Sequence, residues 1–305
     1  MSQLSYVDYH LLTVPVQDQG DQGACYSFAI SSAYNEVRKM AHLPMLDFSE
    51  QGYYYDARNT SGTYYTTFDA GTNPDDGLKT AMTNGIGLES TWAYNPDNVA
   101  VKPPTEYYDS ATHNKITSVD KLNIDPDNWY ANVGTIKAAL AHHQVVSVTI
   151  KAPEWLFYLR GPLSEQTVNL MSDGKGSSTA IAGYHQLNIV GYDDSFANGG
   201  GFVLQNSWGD TWGDHGLGEV SYTFAMNITT ATAITGVTGL DVQHTVAKTA
   251  LIDNYILAFG RTVEHTGGEF WLGQNLNVTQ LAQALTSFTQ GTDTEFVNSL
   301  YANGL

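Results

Sequence analysis

The chain of 305 residues contains a single cysteine, Cys25, so no intrachain disulfide can hold its fold together. Gly20 and Gly23 precede this cysteine, where a tight turn would need residues without a side chain. After it, apolar residues recur with helical spacing at Phe28, Ala29, Ala33, Val37 and Met40. The segment therefore predicts a turn followed by an amphipathic helix, which we expect to end near Leu43 because Pro44 follows.

Cys25 would then lie in the first turn of a long helix. The free backbone N–H groups and the positive dipole end of a helix favour a thiolate over a thiol. This setting predicts a nucleophile. The alternative is a small, inert core residue, because free cysteines are often buried.

Two later segments predict partners for the cysteine. Residues 183–194 and 201–213 both have the composition of short strands, and a glycine-rich turn lies between them. If the turn centres near residues 195–196, a simple hairpin places His185 directly opposite Asn206. Taken singly, the two residues favour a core histidine and a turn or strand-end asparagine. Together with Cys25 they form a nucleophile, a base and a residue that orients the base.

The sequence around these three residues resembles the papain-like cysteine peptidases over most of residues 10–225. Gln19 lies six residues before the cysteine, as in that family, and Tyr184-His185 leads an apolar strand that ends at Tyr192. The asparagine segment carries the family pattern in full, at Asn206, Ser207, Trp208, Gly209, Trp212, Gly213 and Gly216. The absence of paired cysteines resembles a bacterial branch that lacks disulfides.

The resemblance implies an α+β fold of two subdomains, with a helical left half that carries Cys25 and a β-rich right half that carries His185 and Asn206. It implies a cysteine peptidase that hydrolyses peptide bonds through a thioester intermediate. Gln19 and the backbone N–H of Cys25 would form an oxyanion hole. Trp208 would shield the bond between the histidine and the asparagine from water.

The same resemblance predicts substrate contacts at Gly71, Thr72, Tyr184 and Trp208. The loop over residues 69–72 would border the groove and offer its backbone to an extended peptide, although it is equally consistent with an ordinary surface loop. Other functions remain open. The chain is also consistent with a catalytically silent peptide-binding homologue, with an acyl transferase or precursor-processing enzyme that uses the same triad, and with an adhesion protein.

The sequence departs from the family at two positions beside the nucleophile. Gln22 replaces the usual second cysteine, and Tyr26 replaces the usual tryptophan. Neither change removes a catalytic group. With only 18 residues before Gln19, we expect no inhibitory propeptide.

Thirteen basic residues against 31 acidic ones give a net charge of −18. This charge disfavours nucleic acid and anionic membranes as partners and is consistent with either a cationic partner or a solvated acidic surface. No apolar run is long enough to span a membrane. We expect no cofactor and no metal; Asp125, Asp127 and Asn128 favour a turn over a calcium site, and the adjacent His142 and His143 would point apart.

The pattern predicts three domains or segments: the peptidase over residues 1–238, a linker over 239–248 and a small helical module over 249–305. The module resembles an all-helical domain of unknown function found in bacterial exported proteins, and could contact another protein or the rest of a longer chain. No secretory signal peptide is recognisable. We therefore expect an extracellular or cell-surface location reached without one, with a cytoplasmic location as the alternative.

Local signals predict several further elements. Ser49 is placed to cap a helix. Residues 59–76 have the composition of a loop, and a helix from about Asp76 to Thr83 should end at Asn84-Gly85. Residues 145–150 form a continuous apolar run that predicts a buried strand.

Overall fold

An antiparallel sheet forms the β-rich half of the molecule. A computed structural model describes residues 6–8, 14–41, 43–142, 144–161, 180–196 and 199–239. Its strands are β1 Tyr6–Asp8, β2 Ile116–Leu122, β3 Val146–Pro153, β4 Ile181–Asp193, β5 Gly201–Gln205, β6 Leu217–Ser221 and β7 Ile228–Val237. They lie in the order β2-β7-β3-β4-β5-β6, and β1 pairs with β4. Strand β4 is thus central in the sheet.

The central strands are buried because helices cover the sheet. The helices are α1 Cys25–Met40, α2 Glu50–Ser61, α3 Pro74–Thr83, α4 Thr105–Ala111 and α5 Trp129–Ala141. Helix α1 packs on β3, β4 and β7, and α5 packs on β3 and β4. The side chains of β3 are buried at all but one position, which explains its continuous apolar run.

The helical half packs closely because small residues lie where its helices meet. Ser49 caps α2 by accepting the Gly52 N–H at 3.0 Å, as predicted. A Cβ atom on Gly52 would lie only 2.2 Å from the ring of Tyr107, and one on Gly77 only 2.3 Å from the ring of Tyr26. Both glycines are therefore required by tertiary packing. The predicted α+β fold, helical in one half and β-rich in the other, is confirmed.

The predicted end of α1 is wrong by three residues. The helix ends at Met40, because the N–H of Ala41 bonds back to the carbonyls of Val37 and Arg38. The N–H of Leu43 also turns back to the Arg38 carbonyl, at 2.8 Å. The chain has therefore already left the helix before Pro44 can restrict it.

The predicted loop over residues 59–76 is also partly wrong. Helix α2 continues to Ser61, and Thr63–Thr67 forms a short 3-10 helix. Helix α3 begins at Pro74 rather than Asp76, because the Asn73 side chain caps it by accepting the backbone N–H groups of the residues that follow the proline. Polar composition hid these helical turns.

The acidic segment before α5 forms the predicted turn. The carboxylate of Asp125 accepts the Asp127 N–H at 2.9 Å, and the Asn128 side chain caps α5 through the Ala131 N–H at 3.2 Å. In the described part of the chain, no group of three or more His, Cys, Asp or Glu side chains could hold a metal ion. No described helix is long and apolar enough to cross a membrane.

Several predictions fall outside the described residues. These are the side chain of His143, nearly all of the linker over 239–248 and the whole helical module over 249–305. They stay predictions.

Two buried carboxylates in the helical half make stability depend on pH. Burial raises the pKa of both Glu36 and Glu50 from 4.5 to about 8, and nearby Lys39 offsets the rise for Glu36 only in part. The folded state therefore holds protons that the unfolded chain has lost. This contribution is complete below pH 4.5 and is lost as pH rises toward 8.

We expect the free energy of unfolding to fall between about pH 5 and pH 8, and Glu36→Gln to reduce that fall by an amount on the order of a few kcal/mol. Urea unfolding across this pH range would measure it. Glu106→Gln, at an exposed position, is the matched control. An equal pH dependence in wild type and Glu36→Gln would contradict the assignment.

Candidate active site

A buried hydrogen bond joins the two halves of the predicted hairpin. His185 lies on β4, and Asn206 directly follows the last residue of β5. The His185 Nε2 and Asn206 Oδ1 atoms are 2.7 Å apart, and both residues are buried. The sequence correctly predicted that these two side chains meet.

The predicted strand register is wrong, however. Asn188 pairs with Gln205 and Ile189 with Leu204, and the register shifts between Ile189 and Gly191. Because Asp193 pairs with Gly201, the hairpin is already offset by about three residues from the prediction at its turn end, and the extra β4 residue at the bulge reduces that offset to about two. Continuing the register beyond β5 places Asn206 opposite Leu187, two residues from His185 on the same face. The contact is therefore a diagonal cross-strand pair.

A second hydrogen bond fixes which atoms of His185 and Asn206 meet. The backbone N–H of Ser207 donates to Asn206 Oδ1 at 2.9 Å, so the amide must present its oxygen at this point. An oxygen can only accept, and His185 Nε2 must therefore carry the proton. The neutral ring then has its lone pair on Nδ1. This nitrogen is the one that can accept a proton from another group.

Aromatic side chains cover this hydrogen bond. The Trp208 ring lies 4.5 Å from the His185 ring, between centroids. Phe157 stacks on Trp208 at 4.4 Å with an interplanar angle of 14°, and Trp212 meets it edge-on at 5.9 Å. Trp208 therefore lies where it was predicted to act as a shield. Sequence reasoning missed Phe157, for which the only signal was its position within an aromatic run.

Gln19 is anchored by residues from three parts of the chain. Its Nε2 donates to the Gln22 carbonyl at 2.8 Å, and its Oε1 accepts the Ser207 hydroxyl at 2.7 Å. Its backbone carbonyl accepts the Tyr94 hydroxyl, also at 2.7 Å. The second Nε2 hydrogen is left for another acceptor. Ser207 thus connects Gln19 to Asn206, through its hydroxyl to the first and its backbone N–H to the second. The sequence did not predict this link, although Ser207 lies within the asparagine motif.

Cys25 begins α1, half-buried, beside the strand that carries His185. Backbone N–H groups lower the pKa of its thiol, that of Gln186 on β4 foremost, followed by those of Tyr26 and Cys25 at the helix start, where such an effect was predicted. Burial acts more strongly in the opposite direction and raises the pKa overall, with a further rise from the charge of Asp69. The expected resting thiolate is therefore not favoured.

His185 is shifted in the complementary direction. Burial lowers the pKa of its imidazole from 6.5 to about 4, although the hydrogen bond that it donates to Asn206 opposes the change. At neutral pH both groups favour their uncharged forms when the cleft is empty. Burial thus disfavours both the thiolate of Cys25 and the imidazolium of His185 when either charge forms alone.

The sequence model of the Papain family cysteine protease matches residues 6–235. The chain belongs to this family. It is 28% identical over 214 residues to cysteine proteinase 3 of Entamoeba histolytica, covering 69% of this chain and 60% of that protein. It is 26% identical over 212 residues to an uncharacterized peptidase C1-like protein of Acanthamoeba polyphaga mimivirus, covering 68% of this chain and 64% of the relative.

A solved structure extends the likeness to the fold. Xylellain, a cysteine protease from Xylella fastidiosa, is 25% identical, with a TM-score of 0.59 over 76% of this chain and 86% of that one. By contrast, the chain spans less than two thirds of the length of the Entamoeba histolytica and mimivirus relatives.

The predicted substrate residues of this papain-family chain fall into two groups, one beside the turn before Cys25 and one beside His185. A Cβ atom on Gly23 would lie 3.4 Å from the Gly71 nitrogen, so the predicted loop adjoins the turn before the nucleophile. The Gly71 N–H already donates to the Tyr54 hydroxyl at 2.9 Å, which leaves it less available to a peptide than predicted. Thr72 is half-buried, whereas Tyr184, next to His185, is 72% exposed.

The Asn206 hydrogen bond should be visible in the protonation of His185. We expect imidazole ¹⁵N NMR at neutral pH to show His185 with its proton on Nε2, and Asn206→Ala to reduce that tautomer's population and lower the pKa further. The exposed ring of His113 serves as an internal control. Unchanged His185 signals in the variant would contradict this role for Asn206.

Proposed function

We propose that this chain is a cysteine peptidase in which Cys25 is the nucleophile, His185 the general acid and base, and Asn206 the residue that orients the imidazole. One observation carries the proposal. The buried 2.7 Å bond commits His185 Nε2 to Asn206, and so reserves Nδ1 for the thiol at the start of α1. Membership of the cysteine protease family supports the same roles.

The first half of the reaction forms a thioester. As Sγ of Cys25 bonds to the substrate carbonyl carbon, its proton passes to His185 Nδ1. Burial penalises each charge alone, but the thiolate and imidazolium form together and stabilise each other. The carbonyl oxygen that becomes negative accepts hydrogen bonds from the spare Nε2–H of Gln19 and from the backbone N–H of Cys25. His185 then gives its proton to the leaving amine as the carbon–nitrogen bond breaks.

The second half releases the acyl product. Water attacks the thioester carbon while His185 accepts its proton, and the tetrahedral intermediate collapses as the carbon–sulfur bond breaks. The proton on His185 returns to sulfur. Asn206 suits this cycle because it holds the ring without adding a charge. Trp208 and Phe157 keep water from competing for the amide oxygen.

The experiment that tests the proposal is hydrolysis of a mixed fluorogenic peptide library, with reductant, near neutral pH. We expect Cys25→Ala and His185→Ala each to lower hydrolysis by more than about a thousandfold, since each removes an essential member of the triad. His113→Ala, at an exposed histidine, should retain activity.

Hydrolysis that persists in His185→Ala would refute the triad. Peptide binding without hydrolysis in wild type would favour the silent homologue. Adducts formed with an added amine, read by mass spectrometry, would favour acyl transfer, because only the acceptor differs between that reaction and hydrolysis.

The low pKa of His185 predicts the pH at which activity is lost on acidification, the acid limb of the pH–rate profile. The ring must be neutral to accept the thiol proton, so activity is present above its pKa and lost as pH falls through it. We expect kcat/KM for an uncharged peptide to fall near pH 4. An acid limb near the ordinary histidine value of 6.5 would contradict the burial argument. Measurement from about pH 3 to pH 8 decides the point.

On sequence alone, we also propose a bacterial, exported protein whose residues 249–305 contact another protein or the rest of a longer chain. The likeness to xylellain supports the bacterial source. Fractionating cells that express the full chain or a chain lacking residues 240–305 would test the location. Equal cytoplasmic retention of both would contradict export.

A further inference from the structure

Asp69 presents a fixed carboxylate beside the nucleophile. Both of its oxygens accept the Gly23 N–H, at 3.1 and 3.0 Å, and Oδ1 also accepts the Tyr54 hydroxyl. Gly23 lies two residues before Cys25. The residue is nonetheless exposed, so its remaining lone pairs face solvent. The charge is close enough to contribute to the raised pKa of the Cys25 thiol.

A buried arginine holds the residues around this carboxylate in place. The Arg58 guanidinium lies 3.9 Å from the centroid of the Tyr54 ring, and its Nε donates to the Tyr54 carbonyl. Its Nη1 donates to the carbonyls of Tyr65 and Phe68, in the segment that leads to Asp69. The carboxylate therefore has a defined position, which costs little further entropy when a ligand binds.

The charge of Asp69 has no ion-pair partner among the described residues, whose ion pairs lie elsewhere. The fully buried guanidinium of Arg58 interacts with the charge of Asp69 at a distance, but its N–H groups are committed to backbone carbonyls and make no ion pair with that carboxylate. A cationic group that entered the cleft could thus bind Asp69 without displacing a protein cation. The net charge of −18 would also attract such a group.

The proposed chemistry places this carboxylate on the acyl side of the substrate. His185 must protonate the leaving amine, so the leaving half of a peptide lies over His185 and Trp208. The half that becomes the thioester then extends past Cys25 toward the opposite wall, where Gly23 and Asp69 lie.

We propose that Asp69 selects substrates that carry a cationic group on the acyl side of the scissile bond. The cation is either a lysine or arginine side chain at the residue that supplies the scissile carbonyl, or the free terminal ammonium of a short acyl half. The inference rests on the proposed peptidase function.

The test compares wild type with Asp69→Asn. Asparagine has nearly the same shape, and its oxygen can still accept the Gly23 N–H and the Tyr54 hydroxyl, so the substitution mainly removes charge. Asp109→Asn, at an exposed aspartate on α4, is the matched control. The substrates are N-acetylated peptides with arginine or its uncharged analogue citrulline at the scissile carbonyl. A second pair carries glutamine there, with a free or an acetylated amino terminus.

We expect wild type to prefer one cationic member of these pairs by about tenfold in kcat/KM, and Asp69→Asn to abolish that ratio; any general effect of the lost charge on Cys25 is common to both members of a pair and cancels in the ratio. The arginine pair and the free-terminus pair distinguish the two sources of charge. Raising the salt concentration should weaken the preference, because Asp69 is exposed. An equal loss on all peptides would show that Asp69 only anchors the loop, and would overturn the inference.

Binding keeps this inference separable from the proposed function. Fluorescence anisotropy with Cys25→Ala and the same labelled peptides measures the preference without turnover, compared with the double variant that also carries Asp69→Asn. If wild type hydrolyses no peptide, the function fails, while an Asp69-dependent affinity ratio would still support the cation site. If hydrolysis depends on Cys25 but no preference depends on Asp69, only the inference fails.

Discussion

The site depends on the meeting of one strand and one helix start. Strand β4 is the most extensively paired strand that the structure describes, with β1, β3 and β5 beside it, and α1 packs across it. His185 is thereby fixed in the sheet half and Cys25 in the helical half. Neither half alone holds both of the residues proposed to react. The proposed chemistry therefore requires the packing of α1 on β4 as much as it requires any side chain.

Burial has two effects on this pair. It disfavours both the thiolate and the imidazolium, as the raised pKa of Cys25 and the lowered pKa of His185 show. It also excludes the water that would weaken their attraction once a proton moves between them. The aromatic side chains over His185 contribute to its burial, whereas the backbone N–H groups near Cys25 partly offset the effect of burial on its pKa. Burial thus disfavours the charged form of Cys25 or His185 alone, but strengthens the attraction between the two charges when they form together.

The sequence predicted much of this arrangement because local signals carried it. Gly20, Gly23 and the apolar spacing after Cys25 were enough for the start of α1, and the composition of residues 183–213 was enough for the hairpin. The strand register was not predictable, since neither the exact position of the turn nor the extra residue at the bulge leaves a compositional mark. The links through Ser207, Phe157 and Tyr54 join residues distant in the chain. They follow from tertiary packing, which no single-sequence pattern encodes.

The lone cysteine has a practical meaning for the whole protein. Cys25 is the only thiol in the chain, so it is the only residue that a thiol-specific reagent could modify, and it is half-buried. Bound label per chain therefore counts accessible Cys25 thiols directly, with no background from other sulfhydryls. Mild thiol oxidation would likewise silence the site without breaking a crosslink that supports the fold. Redox chemistry at sulfur and the integrity of the scaffold are separate matters in this molecule.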